Sequence, residues 1–539
     1  MSDILQYWPE DKFQPRDVQV QALEWIAAQS AKYLILQAPV ASGKSHIAMT
    51  ASNFFGGNGA GNSFILTPQK VLQKQYKDTF EEGLAFALYG KSNYECSMKN
   101  CSCDVGSLIK PKCRDCPYTN AVQDALSSPN IIMNYSLAFL MLSFHPTFAK
   151  VKRKLMVIDE CHGLEEALVG FTAREIQRKF VENELGVAWP TDVTNFAQLQ
   201  LWMEDSGYFN RLVAQLEVLE GQVDQIQKQS GKMSKEDIKT IRRLFRLEEM
   251  VQEANEILTI PVQDLTAKFV FDYNSDAFQI RSLYGRDEFM EVLDDKAEKF
   301  LFMSGTVDAE GFCNDLGIPR DQCAFLSLDS PIPAAQRPVV FLPTIRMNYQ
   351  WMDQANRRNR KNATETIKQI IRTGHANDSG VIHTSNFKVA EWLTDQLQTF
   401  ADKEGITIVN HNPGDEGETK SRDDAIAEYL SIAGSGKRAI LISPSCTEGL
   451  DLKNDLGRFS IVLKVPYGNL GDKWIKRRME LSKEWYARQA LNQTLQAAGR
   501  VVRDPADSGS TYILDESWLY LMKSTTKLIP QWWKSAYQA

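Results

Sequence analysis

The loop Ala38-Pro39-Val40-Ala41-Ser42-Gly43-Lys44-Ser45 separates a short apolar run, Ala31 to Gln37, from a stretch of helical character. A small-residue loop in that context presents backbone N–H groups at a helix N-terminus to phosphate oxygens. Ala41, Ser42 and Gly43 would line the cradle, Lys44 would reach the β- and γ-phosphates as a mobile charge, and the Ser45 hydroxyl would ligate Mg²⁺. The strict pattern has glycine where Ala38 stands, and taken alone the loop also fits a turn that merely caps a helix. A second apolar run, Lys154 to Ile158, stops at Asp159-Glu160-Cys161-His162. Two adjacent acids at a strand end can divide two tasks, Asp159 in the Mg²⁺ shell and Glu160 as base toward an attacking water. An isolated acidic pair more often caps a helix; its combination with the loop points to a nucleoside triphosphatase. Far downstream, Gln496-Ala497-Ala498-Gly499-Arg500-Val501-Val502-Arg503 puts Arg500 and Arg503 on one helix face. From there two guanidinium groups can be aimed at a γ-phosphate.

A different chemistry sits between the loop and the acids. Five of the nine cysteines, Cys96, Cys101, Cys103, Cys113 and Cys116, fall within 21 residues. In a large intracellular chain such a cluster reads as a metal or cofactor site before a disulfide staple. Four thiolates can hold a [4Fe–4S] cluster or a structural Zn²⁺, and spacing does not choose between them.

These residues need a scaffold. At about 150 residues per domain, 539 residues imply three to four domains. A net charge of −7 and a pI near 5.6 exclude a wholly basic nucleic-acid coat protein, so a nucleic acid would bind in a local groove. No run of 18 apolar residues could span a bilayer, and Met1 to Asp11 does not read as a secretory signal, so a cytoplasmic protein is expected. Short apolar runs alternating with helical stretches imply a parallel sheet covered on both faces. From Thr172 to Leu265 Gln, Glu, Lys and Leu recur at helical spacing, which predicts a helical insertion. Short strands return after Ala267, Ser330 to Pro338 reads as a linker, and strands near 380–383, 406–410, 439–443 and 460–465 form a second α/β unit. Two such units would enclose a ligand cleft.

Taken together, the motifs resemble the superfamily 2 helicases, in the iron–sulfur branch of the XPD/DinG family. Pro15-Arg16-Asp17-Val18-Gln19 resembles its adenine-contacting motif, with Gln19 as reader. Leu66-Thr67-Pro68 with Gln75, Ser304-Gly305-Thr306, His383-Thr384-Ser385 and Thr447-Glu448-Gly449-Leu450-Asp451 resemble motifs Ia, III, IV and V, and Asn134-Tyr135-Ser136-Leu137 precedes the acidic box as in the family. Asn93-Tyr94-Glu95-Cys96 resembles the first cluster ligand and Cys116-Pro117-Tyr118 the last. By resemblance Cys96, Cys113, Cys116 and one of Cys101 or Cys103 hold iron. Cys161 replaces the usual alanine of the acidic box, Glu516-Ser517 lacks an arginine common near the family's final strand, and the chain resembles the branch's compact bacterial or phage-type members.

The resemblance implies two RecA-like motor domains. Residues 1–90, 121–171 and 266–330 would form the first and 331–539 the second, with a cluster insertion at 91–120 and a helical arch at 172–265. It implies ATP, Mg²⁺ and a [4Fe–4S] cluster, and a monomeric motor running 5′→3′ on single-stranded DNA and unwinding tailed or forked duplexes. Arg242, Arg243 and Arg246, and Lys473, Trp474, Lys476, Arg477 and Arg478, are candidate strand contacts. Two other readings compete. One is a nucleic-acid-stimulated translocase that strips proteins or acts on RNA–DNA hybrids without processive unwinding; the other is a zinc-stapled module that only senses ATP.

Overall fold

The continuous apolar runs become strands buried on both faces, which a parallel sheet between helical layers requires. The structure, a computed structural model, describes residues 3–9, 14–57, 61–80, 83–98, 100–108, 113–228, 233–347, 350–351, 356–384, 386–411, 420–444 and 452–538. The first unit holds β1 (Tyr33–Gln37), β2 (Ser63–Thr67), β3 (Phe86–Ala87), β4 (Asn130–Asn134) and β5 (Arg153–Asp159). After β6 (Arg174–Gln177), β7 (Phe269–Tyr273) and β8 (Ala277–Ser282), which lie elsewhere, β9 (Ala297–Ser304) and β10 (Cys323–Ser327) complete it. The strand order is β10-β1-β9-β5-β2-β4-β3, all parallel. Register places Gln37 beside Ser304 and Asp159 beside Met303, so the phosphate loop, motif III and the acidic pair leave one sheet edge from adjacent strands.

The second unit is a parallel sheet of β11 (Val339–Ile345), β12 (Gly380–His383), β13 (Ile406–Asn410), β14 (Arg438–Ser443), β15 (Phe459–Val462), β16 (Ser510–Asp515) and β17 (Tyr537–Gln538), ordered β13-β14-β12-β15-β16-β11-β17. This is the mixed α/β architecture of two parallel-sheet units that was expected.

The insertion departs from the purely helical expectation. It carries the long helices Tyr208–Lys228 and Lys235–Thr259, and β6 as well. Strands β7 and β8, read from sequence as part of the first unit's return, instead pair antiparallel with β6. Their alternating pattern explains this: Phe271, Phe278 and Ile280 face a cluster with Phe196, Leu199 and Met203, and Trp189 stacks on Phe278 at 4.3 Å. A half-buried antiparallel sheet needs that alternation. The insertion also touches the cysteine segment, where Val223 and Ile241 pack on Val105, and Arg242 Nη2 lies 3.2 Å from Asp104 Oδ2.

Candidate active site

The phosphate loop turns through left-handed backbone at Ala41 (φ 65°) and Gly43 (φ 77°). A Cβ at Gly43 would lie 2.1 Å from Gln19 Nε2 and 3.1 Å from Arg16 Nη2, so only glycine lets those side chains lean over the loop. Gln19 Oε1 accepts from Arg16 N–H at 2.9 Å. At Ala41 the same backbone carries a penalty of about 1 to 2 kcal/mol.

Asp159 ends β5 and is buried. Tyr76 donates its hydroxyl to Asp159 Oδ2 at 3.2 Å and also hydrogen-bonds the Ser45 side chain, spanning the two candidate Mg²⁺ ligands. Tyr135 donates to the Asp159 carbonyl at 2.6 Å. The chain then kinks through a left-handed Glu160 (φ 53°), which sends its carboxylate to Lys44 Nζ at 3.0 Å. His162 Nδ1 lies 3.5 Å from the second Glu160 oxygen and 2.8 Å from Ser304 Oγ, joining the acidic box to motif III. Burial pushes the Asp159 carboxyl up to about 6 against the pull of Lys44. Burial also raises Glu160, but Lys44, then His162, hold it at about 2. For Lys44 burial works against the charge, and Glu160 and Asp159 outweigh it, raising its pKa. The centre is therefore an ammonium–carboxylate pair beside a carboxyl that is easily protonated.

The second unit faces this centre. Gln496 Nε2 reaches Thr306 Oγ1 at 3.5 Å, and Arg500 Nε donates to the Gln496 carbonyl at 3.2 Å. The charge of Arg500 acts on Glu160 and that of Arg503 on Lys44, so both arginines lie within electrostatic reach. Lys44, Glu160, His162, Thr306, Gln496 and Arg500 line one cavity, to which Gln75 and Trp532 also contribute. Tyr76, His162 and Trp532 had not been singled out in sequence. Tyr76 adjoins Gln75 and His162 closes the acidic box, so proximity to a motif was their one available signal. Motif V, 447–451, and Ser385 lie outside the described residues.

The cysteines come together in part. Cys96 Sγ lies 3.2 Å from Cys113 Sγ, and Cys103 hydrogen-bonds Cys116. A Cβ on Gly106 would sit 2.8 Å from Cys96 Sγ and 3.5 Å from Cys101 Sγ, so only glycine lets these thiols pack so close to the backbone. Cys101 also packs toward Val105, Val223 and Ile241 at the arch. Among the described residues no three His, Cys, Asp or Glu side chains converge as a metal-binding set. By donor chemistry the thiols suit a sulfur-ligated group, and they stand as two close pairs, Cys96 with Cys113 and Cys103 with Cys116.

The two basic runs expected as strand contacts are engaged in part, with Arg246 left exposed. Arg242 pairs with Asp104 and Arg243 with Glu184. Lys473 lies over the Tyr273 ring and 3.7 Å from Asp272, Trp474 donates its indole N–H to the Ser282 carbonyl at 2.7 Å, and Arg478 is 2% exposed. This run is a seam between the second unit and the insertion; only Lys476 and Arg477 remain exposed.

Residues 12–185 match the family described as "Type III restriction enzyme, res subunit", and residues 367–536 match "Helicase C-terminal domain". A solved XPD helicase superimposes with a TM-score of 0.59 at 16% identity, covering 98% of this chain and 100% of that one. The S. tokodaii Xpd4 structure gives 0.56 at 16% identity over 97% and 100%. The XPD helicase subunit of general transcription and DNA repair factor IIH from Dictyostelium discoideum is 29% identical over 119 residues, which span 20% of this chain and 15% of that relative. The chain thus matches a helicase C-terminal domain over its second unit and shares the fold of solved XPD helicases. In this chain the loop, the acidic box and the arginine turn occupy the facing edges of the two RecA-like units. Among the described residues no helix is long and apolar enough to cross a membrane.

Proposed function

We propose that this helicase hydrolyses ATP to move 5′→3′ along single-stranded DNA, unwinding the duplex it meets, as a cytosolic monomer. The observation that carries the reading is the split phosphate site: Lys44 and Glu160 pair on one unit while Arg500 and Arg503 reach them from the other. Glu160 pairs with Lys44; an incoming γ-phosphate would take the ammonium and free the carboxylate to orient water. Ser45 and Asp159 would hold Mg²⁺, which neutralises phosphate charge, and Gln19 and Arg16 would hold the base end. Gln496 couples the arginine turn to motif III through Thr306, so the cleft can close on nucleotide and reopen after hydrolysis.

We keep the domain bounds expected from the sequence and assign β7 and β8 to the arch, because β8 pairs with its strand β6 and with β7. The thiols of Cys96, Cys103 or Cys101, Cys113 and Cys116 would hold a [4Fe–4S] cluster, which supplies a rigid sulfur-ligated core.

Two variants and two substrates test the reading. Lys44→Ala is expected to lose nucleotide binding, whereas Glu160→Gln should bind ATP and DNA yet not turn over. Parental ATPase in Glu160→Gln overturns the catalytic assignment. Unwinding confined to 3′-tailed duplexes overturns the direction. Anaerobically purified protein should be brown with about four irons per chain, and Cys113→Ser should bleach it; stoichiometric zinc without colour removes the cluster and leaves the motor.

A further inference from the structure

Two cysteines outside the clustered segment meet at the edge of the first unit. Cys313 is buried in the helix Ala309–Leu316, Cys323 opens β10 partly exposed, and their sulfurs lie 3.2 Å apart. They are ten positions apart in sequence, and the turn between them is held at both ends. Gly317 ends the helix in left-handed backbone (φ 66°), Ile318 N–H donates to the Cys313 carbonyl at 2.9 Å, and the Cys323 thiol donates to the Pro319 carbonyl at 3.3 Å. Two thiols can also pack together as small apolar groups. That reading leaves Arg320 unexplained, since this exposed residue turns its side chain back to hydrogen-bond the Cys313 sulfur. A cation on one sulfur and solvent at the other are the surroundings of a reactive thiol pair, whereas structural cysteines are enclosed and inert.

The pair is polarised. The contact with Cys323, and then Arg320, draw the Cys313 thiol below its ordinary range against the effect of burial, and the same contact raises Cys323. Negative charge thus belongs on the buried sulfur and the proton on the accessible one. Cys323 is also where a strand begins. β10 is the outer strand of its sheet, with β1 as its one neighbour among the described residues. Ser327 donates its hydroxyl to Gln37 Oε1 at 2.6 Å, and Leu328 N–H donates to the Gln37 carbonyl at 2.9 Å. β10 therefore flanks the residue that leads into the phosphate loop.

We propose that Cys313 and Cys323 form a thiol–disulfide exchange site that takes a small disulfide of the glutathione type as oxidant and, once closed, pins the outer strand β10. The accessible Cys323 sulfur gives up its proton and attacks one sulfur of the oxidant, whose S–S bond breaks to release one glutathione thiolate. The Cys313 thiolate then attacks the Cys323 sulfur and expels the second glutathione. In sum the two cysteines lose two electrons and two protons, and the oxidant leaves as two thiols. Excess reduced glutathione drives the same steps backward. The site needs neither ATP nor a nucleic acid.

The test equilibrates the full chain with oxidised or reduced glutathione, caps free thiols by alkylation, and maps tryptic peptides by mass spectrometry without reduction. Trypsin cuts after Lys299, Arg320 and Arg346, and Pro338 blocks the cut after Arg337, so peptides 300–320 and 321–346 each carry one of the two cysteines and no other. These peptides should be joined after oxidised glutathione and separate after reduced glutathione. Cys313→Ser should keep one glutathione on Cys323, Cys323→Ser should take none on Cys313, and Arg320→Gln should close several-fold more slowly. Amide hydrogen exchange across 323–328 should slow several-fold in the closed form. Unlinked peptides, or glutathione left standing on Cys323 of the parental chain, overturn the site. Glutathione on Cys313 in Cys323→Ser overturns the order of attack, and unchanged exchange across β10 overturns the pinning.

Discussion

Two clusters of buried charge in this protein are built on opposite plans. In the nucleotide centre one ammonium, Lys44, meets Glu160 with Asp159 alongside, and two further cations lean in from the other unit. At the seam, Arg478 Nη2 meets Glu165 at 2.8 Å and Asp315 at 3.1 Å, Arg488 Nε meets Asp308 at 3.4 Å, and Arg488 also bonds Asp315. Trp485 donates to Glu165 at 3.2 Å, and the Arg478 guanidinium lies 4.3 Å from the Tyr284 ring centroid and 4.6 Å from that of Trp485. Every charge of the seam finds its opposite within the protein. The nucleotide centre gathers Lys44, Arg500 and Arg503 around a cavity, which suits an anion that comes and goes. A buried charge cluster reads as a site when its cations converge on space, and as scaffold when they converge on carboxylates.

The largest effect should come from emptying the open cluster. Arg500→Ala is expected to lower kcat by about 10³ to 10⁵ while ATP affinity, read by a fluorescent nucleotide, changes little. A loss of affinity alone would make Arg500 a binding residue and blur the contrast.

Arg478→Ala breaks the closed cluster and leaves Glu165 and Asp315 buried. It should destabilise the fold by about 3 to 5 kcal/mol, measured by denaturant unfolding, with KM for ATP unchanged in whatever folds. A parental midpoint would mean that the seam carries no weight.

The smallest effect is a pH dependence. Burial, with Asp315 nearby, pushes the Glu165 carboxyl up to about 7 against the pull of Arg478, well above its unfolded value. A raised carboxyl adds stability below the unfolded pKa and loses it as pH rises through about 7. Glu165→Gln cannot titrate, so the Tm difference, wild type minus variant, should grow as pH falls from about 8 to about 5. A pH-independent difference would show that Glu165 stays ionised, as in an ordinary ion pair.

The open cluster was legible in sequence because its chemistry is written locally. Lys44 and Ser45 follow a strand and a small-residue loop, Asp159 and Glu160 end another, and these spacings persist whatever surrounds them. The closed cluster was not legible. Glu165, Asp315 and Arg488 sit on three ordinary helices 150 to 323 residues apart, and nothing in their neighbours marks the meeting. The run Lys473 to Arg478 shows the ambiguity directly, since a charged stretch with one tryptophan has the same composition whether it faces solvent or a seam. Strands β7 and β8 were found but placed in the wrong sheet, because alternation reveals a strand and not its partner.

The strand that carries the phosphate loop has both its neighbours, β9 and β10, more than 260 residues downstream. At the usual pace of translation, on the order of tens of seconds pass between the emergence of β1 and that of β9. Throughout that interval the loop lacks its flanking strands, and within it the cysteine segment and both long helices of the insertion leave the ribosome. The accessory elements can therefore form before the first unit has completed the sheet that carries its phosphate loop.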